Sequence, residues 1–185
     1  MTDARWRSDR VILRRFTESD APLLFALDSD PEVVRFVGQL PPTSIEPYRA
    51  AICDRFLPAY ARAPDLGVFA AIERASDRFI GWFHLRPALE YAFAAAAGYR
   101  AGDLDLGFRL VRSAWGRGYA TEMSRVLVAR ALGELRAPRV VACALTANAA
   151  SIRVLEKVGL ARTAEVRLPG FDSPAIVLAT RGAQP

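Results

Sequence analysis

The chain has 185 residues, 52% of them hydrophobic, and a formal net charge of +5, a length that suits one well-buried core and a single domain over 1-185. Its longest apolar stretches, such as Ala92 to Ala97, fall far short of the roughly 18 residues of a membrane span, and Met1 to Arg10 is too charged for a secretory signal, so the expected location is the cytoplasm. The basic residues are spread along the chain, and of the 25 only Lys157 is lysine, which speaks for a solvated surface or one drawing in a polyanionic cofactor and against a nucleic-acid partner.

Val11 to Phe16 alternates as a strand, and Thr17-Glu18-Ser19-Asp20 resembles a capping box with Asp in place of Glu, opening a helix through about Leu27. Asp30-Pro31 starts a second, short helix toward Val37, with Asp able to cap and Pro tolerated at the first helical position. Gly38 to Pro42 ends it. Ser44 can cap a longer helix with Ala51/Ile52, Phe56 and Tyr60 on one face; Pro47 falls in its first turn, and Pro58 should kink or end it near Leu57. Val68 to Arg74 and Phe79 to Leu85 read as a hairpin about Ala75-Ser76-Asp77-Arg78. His84, the only histidine, rules out a multi-histidine metal site; it reads as structural, with acid-base work in reserve. Arg86 to Gly102 reads as a loop with a helical turn, whose Tyr91, Phe93 and Tyr99 either line an acceptor pocket or cover the core edge.

Leu104 to Leu110 alternates as a strand and leads to Trp115-Gly116-Arg117-Gly118-Tyr119-Ala120-Thr121. Behind this stretch Met123, Leu127, Ala131 and Leu135 recur every four residues along an amphipathic helix. Two glycines one residue apart let backbone approach a ligand closely, and the free N–H groups of a helix start point at whatever lies in front. An anion is the natural guest there. Pro138 marks the end of that helix, and Arg139 to Leu145 has the β-branched pattern of a buried strand. Thr146 to Ala150 is a turn holding Asn148, and a helix from Ala149 to Val158 stops at Gly159. Ala161 to Leu168 and Ala175 to Thr180 close the chain as strands joined through Pro169-Gly170. Cys53 and Cys143 stand alone, without a CxxC or Cys/His cluster; both read as buried free thiols, with neither a disulfide framework nor a zinc site.

A Gly-x-Gly turn is common on its own. Trp115 to Glu122 between a strand and a helix, Asn148-x-x-Ser151, and Glu156-Lys157-Val158-Gly159-Leu160 together resemble the GNAT acetyltransferase superfamily. Arg10-Val11-Ile12-Leu13-Arg14, Ser19-Asp20-Ala21 and Ser29-Asp30-Pro31-Glu32-Val33 resemble the opening signature of its branch typified by ribosomal-protein alanine N-acetyltransferases. The likeness thus runs from Arg10 to Thr180. It implies an α/β (α+β) GNAT fold: a mixed, mostly antiparallel central sheet of about seven strands, with helices on both faces. That sheet is splayed between strands 4 and 5 to admit the pantetheine arm of acetyl-CoA. The implied activity is acetyl-CoA-dependent N-acetylation of a primary amine, a protein N-terminus or a small molecule, by direct transfer in a ternary complex without a metal. A homodimer is compatible with it, and a non-catalytic acyl-CoA sensor on the same scaffold is the alternative.

The resemblance also assigns residues. The family's phosphate pattern, Gln or Arg, two variable residues, Gly, any, Gly or Ala, falls on Trp115, Gly116, Arg117, Gly118, Tyr119 and Ala120, followed by Thr121, with Trp in the first place. In this family the pyrophosphate is held mostly by backbone N–H groups, and N–H groups of the strand ending near Leu110 meet the oxyanion. Asn148 matches the residue that bonds pantetheine, or forms an Asx turn. Ser151 matches the general acid to the sulfur, or caps the helix. Asp105 matches a position where relatives carry a catalytic glutamate; one methylene shorter, it would act through a water, or it is a solvent-facing strand carboxylate. Ribosomal-type members use another carboxylate after the last helix, where this chain offers only Asp172, so the base stays open. About 14% of a free α-amine of pKa ~7.8 is neutral at pH 7, against roughly 0.04% of a lysine side chain at ~10.4, which suits a site of uncertain base to an α-amine.

Overall fold

Burial alternates from Val11 to Leu13, whereas Ala175 to Thr180 is buried at every position, as a strand covered on both faces must be. The computed structural model describes residues 4–37 and 40–181. Gly38 and Gln39, where the sequence reading ends the second helix, lie outside the described residues, as do the first three residues of the charged opening stretch. The strands are β1 (Ala4–Arg7), β2 (Val11–Arg15), β3 (Gly67–Glu73), β4 (Arg78–Pro87), β5 (Leu104–Leu110), β6 (Val140–Leu145), β7 (Leu160–Val166) and β8 (Ala175–Thr180). They form one sheet in the order β1-β2-β3-β4-β5-β6-β8-β7. The pairs β1/β2, β2/β3, β6/β8 and β7/β8 are antiparallel, and β5/β6 is parallel. The helices are α1 (Ala21–Asp28), α2 (Pro31–Val34), α3 (Glu46–Ala51), α4 (Leu57–Arg62), α5 (Tyr119–Gly133) and α6 (Ala149–Lys157).

Among the described residues there are eight strands, against about seven expected. The additional one, β1, is four residues long and buries only Trp6 between Arg5 and Arg7, so its sequence carries almost no alternation to read. The chain divides into two compact units: residues 4–84 with 108–119, and residues 85–107 with the chain from 120 onward.

In the first unit Phe16, Ala21, Leu24, Ile52 and Ala70 form a buried cluster. Fully burying a side chain such as Phe16 contributes about 1.5–3 kcal/mol. The helix start expected at Thr17 is present: its N–H donates to Asp20 Oδ2 at 2.8 Å, and Arg14 donates to both Asp20 oxygens at 2.6 and 2.8 Å. Asp30 accepts the Glu32 N–H at 3.0 Å and so caps α2. Pro58 does not end the long helix. Ile52–Phe56 is π-helical, with the Leu57 N–H reaching the Ile52 carbonyl, and α4 continues to Arg62. The wider turn absorbs the lost N–H and the ring of Pro58. Ile45 rather than Ser44 precedes α3. Cys53, next to buried Ile52, faces outward and is exposed, which corrects the expectation of a buried thiol. Gly81 on β4 has φ 136°, and a Cβ there would stand 2.1 Å from the Arg109 carbonyl oxygen, so only glycine allows β4 to run this close to the end of β5.

In the second unit β8 is buried along its whole length between β6 and β7, whereas β7 is an exposed edge from Ala161 to Glu165. Among the described residues β5 and β6 share only two register pairs, Leu104↔Val140 and Asp105↔Val141. These are the fourth and fifth strands of the sequence reading, where the sheet was to part. Helix α5 buries Met123, Leu127 and Ala131 and ends at Gly133, before the expected Leu135. Gly159, with φ 95°, stops α6 in the left-handed conformation expected of it.

Candidate functional site

The glycine turn belongs to the first unit as far as Tyr119. Gly116 and Gly118 have φ 70° and 83°, conformations that put successive N–H groups on the concave side of a turn. A Cβ at Gly116 would meet nothing within 4 Å. Among the described residues the N–H groups of Gly116, Arg117 and Gly118 donate to no acceptor, and residues 115–118 are all exposed. Trp115 is 46% exposed, yet its indole N–H donates to the Leu110 carbonyl at 2.8 Å and ties the turn to the end of β5. Val111 donates its N–H to Ile80 at 3.0 Å, which removes it from the donors available near Leu110.

Around this turn stand groups that sequence reading did not connect. Arg10 donates to the Arg117 carbonyl at 3.0 Å, and its guanidinium lies 4.7 Å from the Tyr119 ring centre. Arg117 lies 5.0 Å from the same ring and 3.3 Å from Glu73. The Tyr119 hydroxyl donates to Glu73, as does Ser76 at 2.6 Å. The Ser76 and Tyr119 hydrogen bonds hold the Glu73 carboxyl below its ordinary value. Ala120 and Thr121 continue into the first turn of α5.

In the second unit Asn148 accepts the Ser151 N–H on Oδ1 at 3.2 Å and is the cap of α6. Its side-chain amide N–H groups have no partner among the described residues. Ser151 is therefore not the cap: it sits in the first turn, half-buried, with its hydroxyl making no hydrogen bond among the described residues.

Asp105 does not face solvent. It is 4% exposed and accepts the Tyr91 hydroxyl at 2.8 Å, because alternation along β5 turns it to the face covered by the 91–99 connector. Tyr91 stacks near Phe93 at 4.7 Å, Phe93 near Tyr99 at 6.0 Å, and Arg86 lies 4.2 Å over the Tyr91 ring. Burial, followed by the charge of Asp105, pushes the hydroxyls of Tyr91 and Tyr99 up and the half-buried Cys143 thiol up to about 12. The aromatics cover the core with Val141, Val177 and Ala179. Tyr99 also lines a cavity of about 290 Å³ with Ala97, Arg139, Val141 and Val177. Asp172 is exposed in the loop between β7 and β8.

The first unit holds a second polar cluster. Arg109 donates to Asp28 at 2.6 Å and Tyr48 donates to the other Asp28 oxygen at 3.1 Å. Burial and then Asp28 push the Tyr48 hydroxyl up to about 12. Arg109 lies 5.2 Å from the Trp82 ring, which stacks on His84 at 5.6 Å. Asp28 and Arg109 are 81 residues apart, and local pattern cannot pair them.

A family model described as an acetyltransferase (GNAT) domain matches residues 10–161. The chain belongs to the GNAT acetyltransferase family. It is 31% identical over 163 residues to a protein named uncharacterized N-acetyltransferase YoaA of Bacillus subtilis (strain 168), covering 86% of this chain and 84% of that one. The fold is that of a GNAT-family acetyltransferase from Bacillus anthracis, with a TM-score of 0.76, 17% identity, and 94% and 95% of the two chains covered. It is also that of AAC(6')-Ib in complex with ribostamycin and coenzyme A, with a TM-score of 0.73, 20% identity and 93% of each chain covered.

Proposed function

We propose that the chain is an acetyl-CoA-dependent N-acetyltransferase that acts on an α-amine, a protein N-terminus of the ribosomal type or a small amine of similar acidity. The observation that carries this reading is the row of N–H groups at Gly116, Arg117 and Gly118, which meet no acceptor among the described residues and stand exposed before α5. A pyrophosphate fits them: the space over Gly116 is open, and charge-assisted bonds to phosphate oxygens are about twice as strong as neutral ones. Acetyl-CoA brings an activated thioester; the chain's part is to bind it, orient it and move protons.

Asn148 would give its free amide N–H groups to the pantetheine arm while its oxygen caps α6. The two tasks use different atoms and do not compete. The Ser151 hydroxyl would protonate the departing thiolate, and a backbone N–H of β5, which ends before Val111, would meet the oxyanion. Asp105 is the base candidate set deepest, and its bond from Tyr91 supports a route through that hydroxyl or a water rather than direct contact. Because an α-amine is ~14% neutral at pH 7, a base acting at one remove suffices for it.

Release of free CoA thiol from acetyl-CoA, measured against a panel of peptide N-termini, lysine-containing blocked peptides and small amines, tests this reading. We expect turnover with free α-amines and at least tenfold less with blocked peptides. Tight acetyl-CoA binding without transfer to any member would leave the acyl-CoA sensor as the better account.

A further inference from the structure

We infer that Arg10 is a positioning residue for the phosphate-binding turn, acting through the Arg117–Gly118 peptide. This rests on the cofactor reading above. A trans peptide directs its C=O and N–H to opposite sides. The Arg10 guanidinium holds the Arg117 carbonyl oxygen at 3.0 Å, so the Gly118 N–H of the same peptide is turned away from Arg10, toward the open side of the turn. A cation on the carbonyl also polarises the peptide and makes that N–H a stronger donor.

The brace is itself anchored. The Arg10 carbonyl accepts the Arg74 N–H at 2.9 Å, at the end of the sheet where Val11 pairs with Glu73. The Arg10 guanidinium rests over the Tyr119 ring at 4.7 Å, and that ring is fixed by the bond from its hydroxyl to Glu73. Glu73 also takes up Arg117 at 3.3 Å, which keeps the Arg117 side chain beside the turn. A Cβ at position 118 would stand 3.4 Å from Arg10 Nη2. That is an ordinary contact, so what requires the glycine is its left-handed φ of 83°. Partners 107 residues apart leave no trace in local pattern.

The test is calorimetric titration of the intact protein with CoA, for wild type, Arg10→Gln, Arg10→Lys and Arg55→Gln, at low salt and at about 0.5 M salt. Arg55 is exposed on the π-helical turn and controls for loss of one positive charge. We expect Arg10→Gln to weaken binding at least tenfold at both salt concentrations, and Arg55→Gln to stay within about twofold. Arg10→Lys keeps the charge but loses the planar fork, and is expected to fall between. It also carries the test if Arg10→Gln does not fold. Undiminished binding in Arg10→Gln, or a loss that disappears at high salt, would overturn the brace while leaving the cofactor reading standing. Wild-type protein that does not bind CoA would overturn both.

Discussion

Helix α6 starts on Asn148, whose side-chain oxygen accepts the N–H of Ser151, whereas helix α5 starts after Gly118, which has no side chain to offer. A good cap is worth about 1 kcal/mol over alanine. The start of α6 collects that stabilisation from its own chain, and the start of α2 does likewise through Asp30. At α5 the chain forgoes it and instead uses two left-handed glycines, an indole latch on Leu110 and an arginine on the Arg117 carbonyl to hold bare N–H groups in place. A closed helix start serves stability; an open, braced one suits the ligand proposed for it. The contrast is the physical basis for placing the anion at 116–118.

The largest expected effect breaks the open end. Gly118→Val forces a β-branched residue to φ 83°, against an arginine, at a conformational cost of about 1–3 kcal/mol. Acetyl-CoA binding measured by calorimetry should fall by about 100-fold or more, a loss on the order of 2.7 kcal/mol, with the fold retained by circular dichroism. Ser151→Ala removes a hydroxyl that makes no hydrogen bond among the described residues. Acetyl-CoA affinity and melting temperature should therefore hold, while kcat drops by about 100-fold, the lower range for a lost general acid.

At the closed end, two substitutions at one position separate the two tasks of Asn148. Asn148→Ala should lower stability to urea by about 1 kcal/mol through the lost cap. Asn148→Asp caps equally well but has no amide donor, so stability should hold while CoA affinity falls several-fold. CoA affinity equal to that of wild type in both variants would confine Asn148 to capping.

The smallest effect concerns pH. Burial raises the Asp20 carboxyl, but the hydrogen bonds from Arg14 and Thr17 outweigh it, and its value in the folded protein is lowered. A lowered carboxylate contributes stability above its unfolded value near 4 and loses it as pH falls through the folded value. Asp20→Asn should thus be less stable than wild type at pH 7 in chemical denaturation. The gap should narrow below about pH 4.

Much of this arrangement is legible in sequence because it is local. The alternation of Leu104 to Leu110, the Gly-x-Gly turn, Asn148 three residues before Ser151, and Gly159 as a stop are all short-range signals, and β5, α6 and the two turns fall where they point. The π-helical turn ahead of Pro58 is half-legible: the proline announces a disturbance, but not that a wider turn will absorb it. What stays hidden depends on distant partners. Alternation puts Asp105 on the polar side of a strand; only the folded 91–99 connector shows that this side is covered and that Tyr91 meets the carboxylate. Arg10 reads as part of an opening signature, and its contact with the Arg117 carbonyl emerges only when β2 and the turn are built in the same unit. Strand β1, four residues with charges on either side of Trp6, is too short for periodicity to show.

The central claim is that the N–H groups at Gly116, Arg117 and Gly118 hold the pyrophosphate of acetyl-CoA. Amide NMR spectra of ¹⁵N-labelled protein, recorded during titration with acetyl-CoA and separately with inorganic pyrophosphate, test it most directly. The account predicts that the amide protons of these three residues move downfield with both ligands, in saturable fashion, as each gains an anionic acceptor. Saturable binding of acetyl-CoA that leaves those three resonances unmoved would contradict it.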